Sequence, residues 1–289
     1  MARLLIGPAV ATAVVATLVG CGDDGGVPPA ADAAAPTPRF DDGAMRIDVR
    51  QAMTAAGAST AIVGALAPEP GPWPYDPPTV DGWCRLMVRH PIDGCAPACP
   101  PTATCDRGAC VAPATPRSAG VLTVGGGGAR ARIPFDGTYE LYLATALFPP
   151  GADVTASAPG DALPAFTLTA RMPPPLARVD PGGLALAPGR PLTVRWPPAG
   201  DASRVRIRLG ADRGDGPWPS IVVECDRPDD AGEVAVPQAM VDALADPEAW
   251  GCDVCLDHEA VRYQRADTTL AGTTLTLWTS QAAPFALRP

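Results

Sequence analysis

The 289-residue chain contains no lysine and no asparagine, and it has only two histidines. Without lysine it cannot form a lysine Schiff base, and it cannot hold a phosphate as the lysine of a P-loop does. The 22 basic residues are therefore all arginines, and 31 Asp and Glu residues outnumber them, which gives a net charge of −9. Because an acidic chain repels nucleic-acid phosphates, we set nucleic-acid partners aside.

Aromatic residues make up only 5% of the chain, whereas proline (37) and glycine (30) are abundant. This turn-rich composition argues against a helical bundle, while 47% hydrophobic residues suffice for one or two cores. A chain with few aromatic rings needs them for packing. We therefore expect Trp73, Tyr75 and Trp83 to cover the rim of a small core. The alternative is an exposed aromatic surface that stacks on carbohydrate.

The first residues have the features of an export signal. Arg3 supplies a positive charge, and residues 4–20 form an uncharged, mostly apolar run. The run is shorter than the about 20 residues of a membrane span and fits the hydrophobic region of a signal peptide. The segment Leu18–Cys21 (LVGC) resembles the lipobox of bacterial lipoprotein signals. The resemblance implies that residues 1–20 are removed and that Cys21 becomes the first mature residue, with a diacylglycerol and an acyl chain such as palmitate attached.

Lipidation of Cys21 would attach the protein to a lipid bilayer. Each buried CH₂ group contributes about 0.8 kcal/mol, so two or more acyl chains hold a protein stably. Gly22 occupies the position where Asp signals inner-membrane retention in some bacteria, which favours the outer membrane over the inner. Residues 21–42 are mostly Pro, Ala, Gly and Asp and predict a flexible tether. We therefore expect a lipid-anchored protein of the cell envelope.

The eight other cysteines predict disulfides. An even number of cysteines in an exported chain favours pairing. The Cys-rich module 84–113 has too little apolar surface to fold without covalent crosslinks. Interleaved bonds between Cys95 and Cys105 and between Cys99 and Cys110 are expected, as in small knotted modules. The eight residues are Cys84, Cys95, Cys99, Cys105, Cys110, Cys225, Cys252 and Cys255.

The partners of the remaining four cysteines stay open. Cys84 either bridges to the C-terminal half or joins the knot and leaves one cysteine over. Cys225, Cys252 and Cys255 could together with His258 form a Cys₃His zinc site. An oxidising compartment and the lack of a second paired CxxC favour disulfides instead. We therefore expect no metal and no other cofactor.

Alternating apolar and polar residues predict a mainly β protein. In residues 204–209 three arginines alternate with Val205, Ile207 and Leu209, which is typical of a half-buried antiparallel strand. Residues 237–244 predict a helix with proline in its first turn. Trp196 resembles the core tryptophan of a sandwich, whereas Trp278 could face either side. About seven candidate strands follow one another, as in an immunoglobulin- or fibronectin-III-like sandwich: 184–187, 192–196, 204–209, 220–225, 233–236, 259–265 and 273–279.

The first half of the chain predicts a smaller β-domain that the Cys-rich module interrupts. Residues 45–50, 129–133 and 139–143 alternate, and Gly125 to Gly128 predict a hairpin turn. The predicted organisation has four parts: a signal peptide (1–20), a tether (21–42), an N-terminal β-domain (43–172) and a β-sandwich domain (173–289).

Three stretches, 147–157, 164–166 and 192–196, resemble a pattern in uncharacterised exported proteins of GC-rich, myxobacteria-like bacteria. In those proteins, too, a Cys-knot precedes a β-sandwich. The resemblance spans most of residues 80–280, and it implies a fold but no activity.

Catalytic motifs are missing from the sequence. It has no G-x-S-x-G, H-E-x-x-H or G-x-G-x-x-G pattern. In Asp257-His258-Glu259, adjacent strand residues point to opposite faces, so we expect an exposed histidine rather than an acid–base site. We therefore expect a non-enzymatic binding or structural protein, whose partner is an unknown envelope protein or glycan. The alternative is an envelope hydrolase with paired carboxylates, which needs no sequence signature.

Overall fold

A computed structural model of the chain shows a mainly β protein. The predictions for residues 1–20, Cys21, Cys252 and Cys255 fall outside the described residues and stay predictions. The same holds for Trp73. The structure describes residues 37–40, 45–54, 57–69, 71, 75–89, 95–176, 179–180, 183–211, 221–245, 256–283, 285 and 287–288.

Nine strands form one mixed sheet, which we call the large sheet. They are β1 (Met45–Thr54), β2 (Gly57–Leu66), β3 (Thr79–Asp81), β4 (Cys84–Val88), β9 (Tyr139–Leu143), β14 (Arg204–Ala211), β15 (Ile221–Pro228), β17 (Leu256–Leu270) and β18 (Thr273–Ala283). Their order across the sheet is β3-β4-β15-β14-β17-β18-β1-β2-β9. The pairing of β1 with β18 is parallel, and the other neighbours are antiparallel.

A second sheet of four strands, the small sheet, packs against part of the large sheet. It consists of β7 (Leu122–Gly126), β8 (Ala129–Ile133), β10 (Asp153–Ala158) and β11 (Phe166–Arg171), in the order β11-β10-β7-β8. The predicted hairpin turn joins β7 to β8, with Gly127 and Gly128 at φ +56° and +87°. A Cβ on Gly127 would lie 2.6 Å from the ring of Pro149, so the turn requires glycine there.

The remaining described elements are short. Three two-stranded sheets pair β5 (Thr104–Asp106) with β6 (Ala109–Val111), β12 (Leu184–Ala185) with β19 (Leu287–Arg288), and β13 (Leu192–Arg195) with β16 (Glu233–Val236). A 3₁₀ turn covers Asp229–Ala231. The described residues contain one α-helix, α1 (Gln238–Leu244), which confirms the helix predicted at 237–244.

Two large hydrophobic cores and one small cluster, of Tyr75, Met87 and Val222, lie along the large sheet. The first combines Val205, Ile207 and Leu209 of β14 with α1, β13 and β16, and it contains the buried Trp196, as predicted. The second lies between the small sheet and β1, β2 and β18. Tyr75 is buried against Met87, and Trp83 packs against the first core, so both described rings of the predicted aromatic group serve packing.

All seven strands predicted between residues 184 and 279 are present. Four of them, β14, β15, β17 and β18, share the large sheet with five strands from the first half of the chain, β1 to β4 and β9. The sequence did not predict this pairing. The immunoglobulin- or fibronectin-III-like identity of residues 173–289, and the boundary at residue 172, stay predictions.

Candidate functional site

Five charged side chains lie together on the face of the large sheet opposite the cores. We call them the arginine–carboxylate cluster: Arg85, Arg204, Arg206, Glu224 and Asp226. The alternation of β14 turns its arginines away from the first core, and the strand register sets Arg206 beside Asp226 and Arg85 beside Glu224. None of the five residues as a whole is more than 8% exposed. The strand β14, predicted to be half-buried, therefore has Arg204 and Arg206 buried on the face that does not line the first core.

Each of the four carboxylate oxygens of Glu224 and Asp226 has a hydrogen-bond or ion-pair partner. Arg85 Nε donates to Glu224 Oε2 at 2.8 Å, and Arg206 Nη1 lies 3.0 Å from Glu224 Oε1. Arg204 Nε donates to Asp226 Oδ1 at 2.7 Å. The hydroxyl of Tyr263 donates to Asp226 Oδ2. Each buried carboxylate thus has a cation and a second hydrogen-bond donor, which is the arrangement that makes its burial tolerable.

Aromatic rings continue the cluster across β17 and β18. Tyr263 stacks on Trp278 with ring centroids 4.0 Å apart, and the guanidinium groups of Arg46 and Arg206 each lie 4.3 Å from the Trp278 ring centroid. Trp278 therefore faces the charged side of the sheet. Burial raises the pKa of Tyr263, and Asp226 raises it further against the opposing charge of Arg206. The phenol therefore remains a hydrogen-bond donor to Asp226.

The segment Thr37–Phe40, which we call the strap, lies on this cluster. Arg204 Nη2 donates to the Thr37 carbonyl at 3.0 Å, and Arg206 Nη2 donates to the Arg39 carbonyl at 2.7 Å. The Arg39 amide donates to Asp226 Oδ1 at 3.1 Å. The guanidinium of Arg85 lies 4.6 Å from the Phe40 ring centroid. The last part of the predicted tether that the structure describes is thus bound to the folded chain.

A second buried ion pair lies on the core side of the large sheet. Arg262 Nε donates to Asp229 Oδ1 at 2.8 Å, and both side chains are nearly inaccessible. The same guanidinium donates to the carbonyls of Pro175 at 2.9 Å and Pro197 at 2.5 Å. Asp229 also accepts the amide of Ala199 at 2.5 Å. This pair therefore joins β17 to the 3₁₀ turn and to two loops, one with Pro175 and one with Pro197 and Ala199.

The described cysteines form three disulfides. Cys95 bonds to Cys105 and Cys99 to Cys110, which confirms the interleaved pairing. Cys84 bonds to Cys225, so the first of the two alternatives for Cys84 is correct. A cysteine binds a metal ion as a free thiolate. Cys225 therefore cannot be a ligand of the alternative Cys₃His zinc site while it is bonded to Cys84. For the same reason, the close sulfurs of Cys95, Cys99 and Cys110 do not form a metal site.

The predicted exposure of His258 is wrong, because its ring is half-buried. Its Nε2 lies 2.5 Å from the carbonyl oxygen of Phe285, and its ring packs edge-on against the Phe285 ring with centroids 4.9 Å apart. Glu259 instead forms an ion pair with Arg50. The two neighbours therefore have separate partners.

An open cavity of about 500 Å³ lies on the outer side of the small sheet. Hydroxyl and apolar groups line it, and none of its described lining residues has an ionisable side chain: Thr123, Ser157, Ala158, Pro159, Ala165, Phe166 and Thr167. The paired carboxylates of the cluster lie on another sheet, so this cavity does not supply the acid and base of a hydrolase.

Comparisons of the chain with protein-family models, curated proteins and solved structures found no match. Within the described ranges, the helices are too short or too polar to cross a membrane. Sequence reasoning missed the cluster and the strap as a site. The signal for the cluster was present in two alternating patterns, Arg204-x-Arg206 and Glu224-x-Asp226.

Proposed function

We propose that the protein is a lipid-anchored component of the cell envelope that binds or spaces other envelope molecules and catalyses no reaction. Cys21 carries the lipid, with the outer membrane preferred over the inner, and the partner is an envelope protein or glycan. The three disulfides support an address outside the cytosol, because such bonds persist in oxidising compartments.

The engagement of the cluster carboxylates is the observation that carries the non-enzymatic part of the proposal. A two-carboxylate hydrolase needs one group that gives up a proton and one that attacks or activates water. Glu224 and Asp226 are a buried pair on one strand, as that alternative requires. Their oxygens, however, face arginines, Tyr263 and the strap rather than open space. This arrangement supports a role in holding the sheet and the strap.

We also propose that residues 173–289 form a sandwich of the immunoglobulin or fibronectin-III kind beside the smaller domain 43–172. The two cores support the division. The first core takes its residues from 176–287 together with Cys84. The second takes them from 45–172 together with Leu270, Leu275 and Leu277.

Replacing Cys21 by serine is expected to move the protein from the membrane fraction to the soluble fraction. The acyl chains are the proposed source of membrane affinity, and serine cannot carry the thioether. Cell fractionation with immunoblotting measures the change, and mass spectrometry of the wild type should find an acylated N-terminal peptide that starts at Cys21. The control is Tyr142→Ala, which changes a side chain that is exposed on β9 and leaves the lipobox and the three disulfides intact. A Cys21→Ser protein that stays in the membrane fraction would contradict the anchor.

The wild-type protein is expected to hydrolyse neither envelope polysaccharide nor peptide. The measurement is release of reducing sugar or free amine from isolated envelope material, with wild type, Glu224→Gln and Glu233→Gln compared. Glu233 is the control because it is an exposed carboxylate on β16. One result would favour the hydrolase: wild type and Glu233→Gln hydrolyse the material, and Glu224→Gln does not. The circular dichroism spectrum of Glu224→Gln must then match that of the wild type.

A further inference from the structure

We infer that the strap is removable and that the groove beneath it binds an extended peptide of a partner protein. By the groove we mean the surface of the arginine–carboxylate cluster that contacts the strap. The inference goes beyond the proposed function, because it holds whether or not Cys21 is lipidated.

The groove contacts the strap chiefly through main-chain groups, with one further contact to a side chain. Arginine side chains donate hydrogen bonds to the carbonyls of Thr37 and Arg39, which are two residues apart. The Arg39 amide donates to Asp226. Carbonyls spaced by two point to the same side of an extended segment. Any extended peptide presents the same groups in the same spacing, which is the principle of main-chain peptide recognition. In the structure the chain itself supplies that peptide.

One contact adds a side-chain preference. The Phe40 ring lies over the Arg85 guanidinium, which is an attractive cation–π arrangement. Pro38, between the two bound carbonyls, favours an extended backbone, because its ring fixes φ near that of polyproline II. A partner segment that fits the groove therefore has an extended, proline-containing backbone with an aromatic residue after the second bound carbonyl.

The strap is much more exposed than the cluster residues that it contacts. Thr37 and Arg39 are exposed and Phe40 is half-buried, whereas the five cluster residues are at most 8% exposed. A segment with few buried apolar contacts opens locally at a lower free energy than the whole fold. When the strap opens, the arginines and Asp226 lose these hydrogen bonds. A peptide with the same main-chain groups restores them.

The test combines hydrogen exchange with peptide binding in the full mature protein. We expect Phe40→Ala to speed exchange of the Arg39 amide by about tenfold, because it removes the cation–π contact, and to leave exchange of the β14 and β15 amides unchanged. A fluorescein-labelled peptide of residues 36–40 (Pro-Thr-Pro-Arg-Phe) should bind Phe40→Ala more tightly than wild type. Tyr142→Ala is the control, because it removes a ring that is 66% exposed on β9, and it should change neither readout.

Three results would overturn the inference. The Arg39 amide could exchange only together with the β14 amides in every variant, which would make the strap an integral part of the fold. The peptide could fail to bind Phe40→Ala although the Arg39 amide exchanges faster. A peptide with its phenylalanine replaced by alanine could bind as tightly as the original, which would overturn the proposed preference for an aromatic residue beside Arg85.

Discussion

Replacing Asp226 by asparagine is expected to lower the free energy of unfolding by about 3–5 kcal/mol. The Asp226 side chain is fully buried, and it accepts from Arg204, Tyr263 and the Arg39 amide. The asparagine amide has no charge to balance the arginines, and its nitrogen cannot accept a hydrogen bond. The variant therefore leaves buried positive charge without its counterion, which costs more than the loss of one hydrogen bond.

Urea denaturation followed by tryptophan fluorescence measures this effect. The matched control is Glu233→Gln, which breaks the ion pair of Glu233 with Arg195 at 3.2 Å; these side chains are 51% and 62% exposed. Exposed ion pairs contribute about 0–1 kcal/mol, so the control should stay close to wild type. Equal decreases in the free energy of unfolding for the two variants would contradict the prediction, because the buried ion pair would then contribute no more than the exposed one.

Replacing Arg262 by methionine is expected to cost a similar amount, about 3–5 kcal/mol, for the opposite reason. Asp229 would stay buried without a cation, and the carbonyls of Pro175 and Pro197 would lose their donor. The double variant Arg262→Met/Asp229→Asn removes the stranded charge as well. It should therefore be more stable than the sum of the two single losses predicts.

The same denaturation measurement tests the coupling. Arg195→Met is the control, since Arg195 is an exposed arginine on β13, and its loss should lie within about 1 kcal/mol of wild type. Strictly additive losses for Arg262 and Asp229 would contradict the direct ion pair. A loss under about 1 kcal/mol for Arg262→Met would show that the 3₁₀ turn and the two loops do not depend on its guanidinium.

Local pattern predicted the strands of the second half, and the reason is physical. Side-chain period two follows from the backbone of a single strand, so residues 204–209 and 273–279 could be recognised without their neighbours. The interleaved disulfides of the Cys-rich module were predicted from four closely spaced cysteines and by likeness to small knotted modules. Each of these features depends on residues that are close together in the chain.

Features that depend on distant residues escaped prediction. Alternation shows that Arg204 and Arg206 share a face, but it does not show that Glu224, Asp226 and the strap cover that face. The side to which Trp278 points also required the register of β18 with β17 and β1. The strap contacts join residues 167 positions apart, and the sequence gives no local sign of them.

The parallel pairing of β1 with β18 constrains the order in which the protein can fold. Met45 lies opposite Leu275, and Leu275 and Leu277 belong to the second core with Ile47. A chain that is synthesised from its N-terminus therefore holds β1 without one of its two sheet neighbours until β18 has been made. Such long-range closure is slow and leaves strand edges open meanwhile. The N-terminal half thus depends on the C-terminus for its completion, and a chain that ends before residue 273 should leave the second core unfinished.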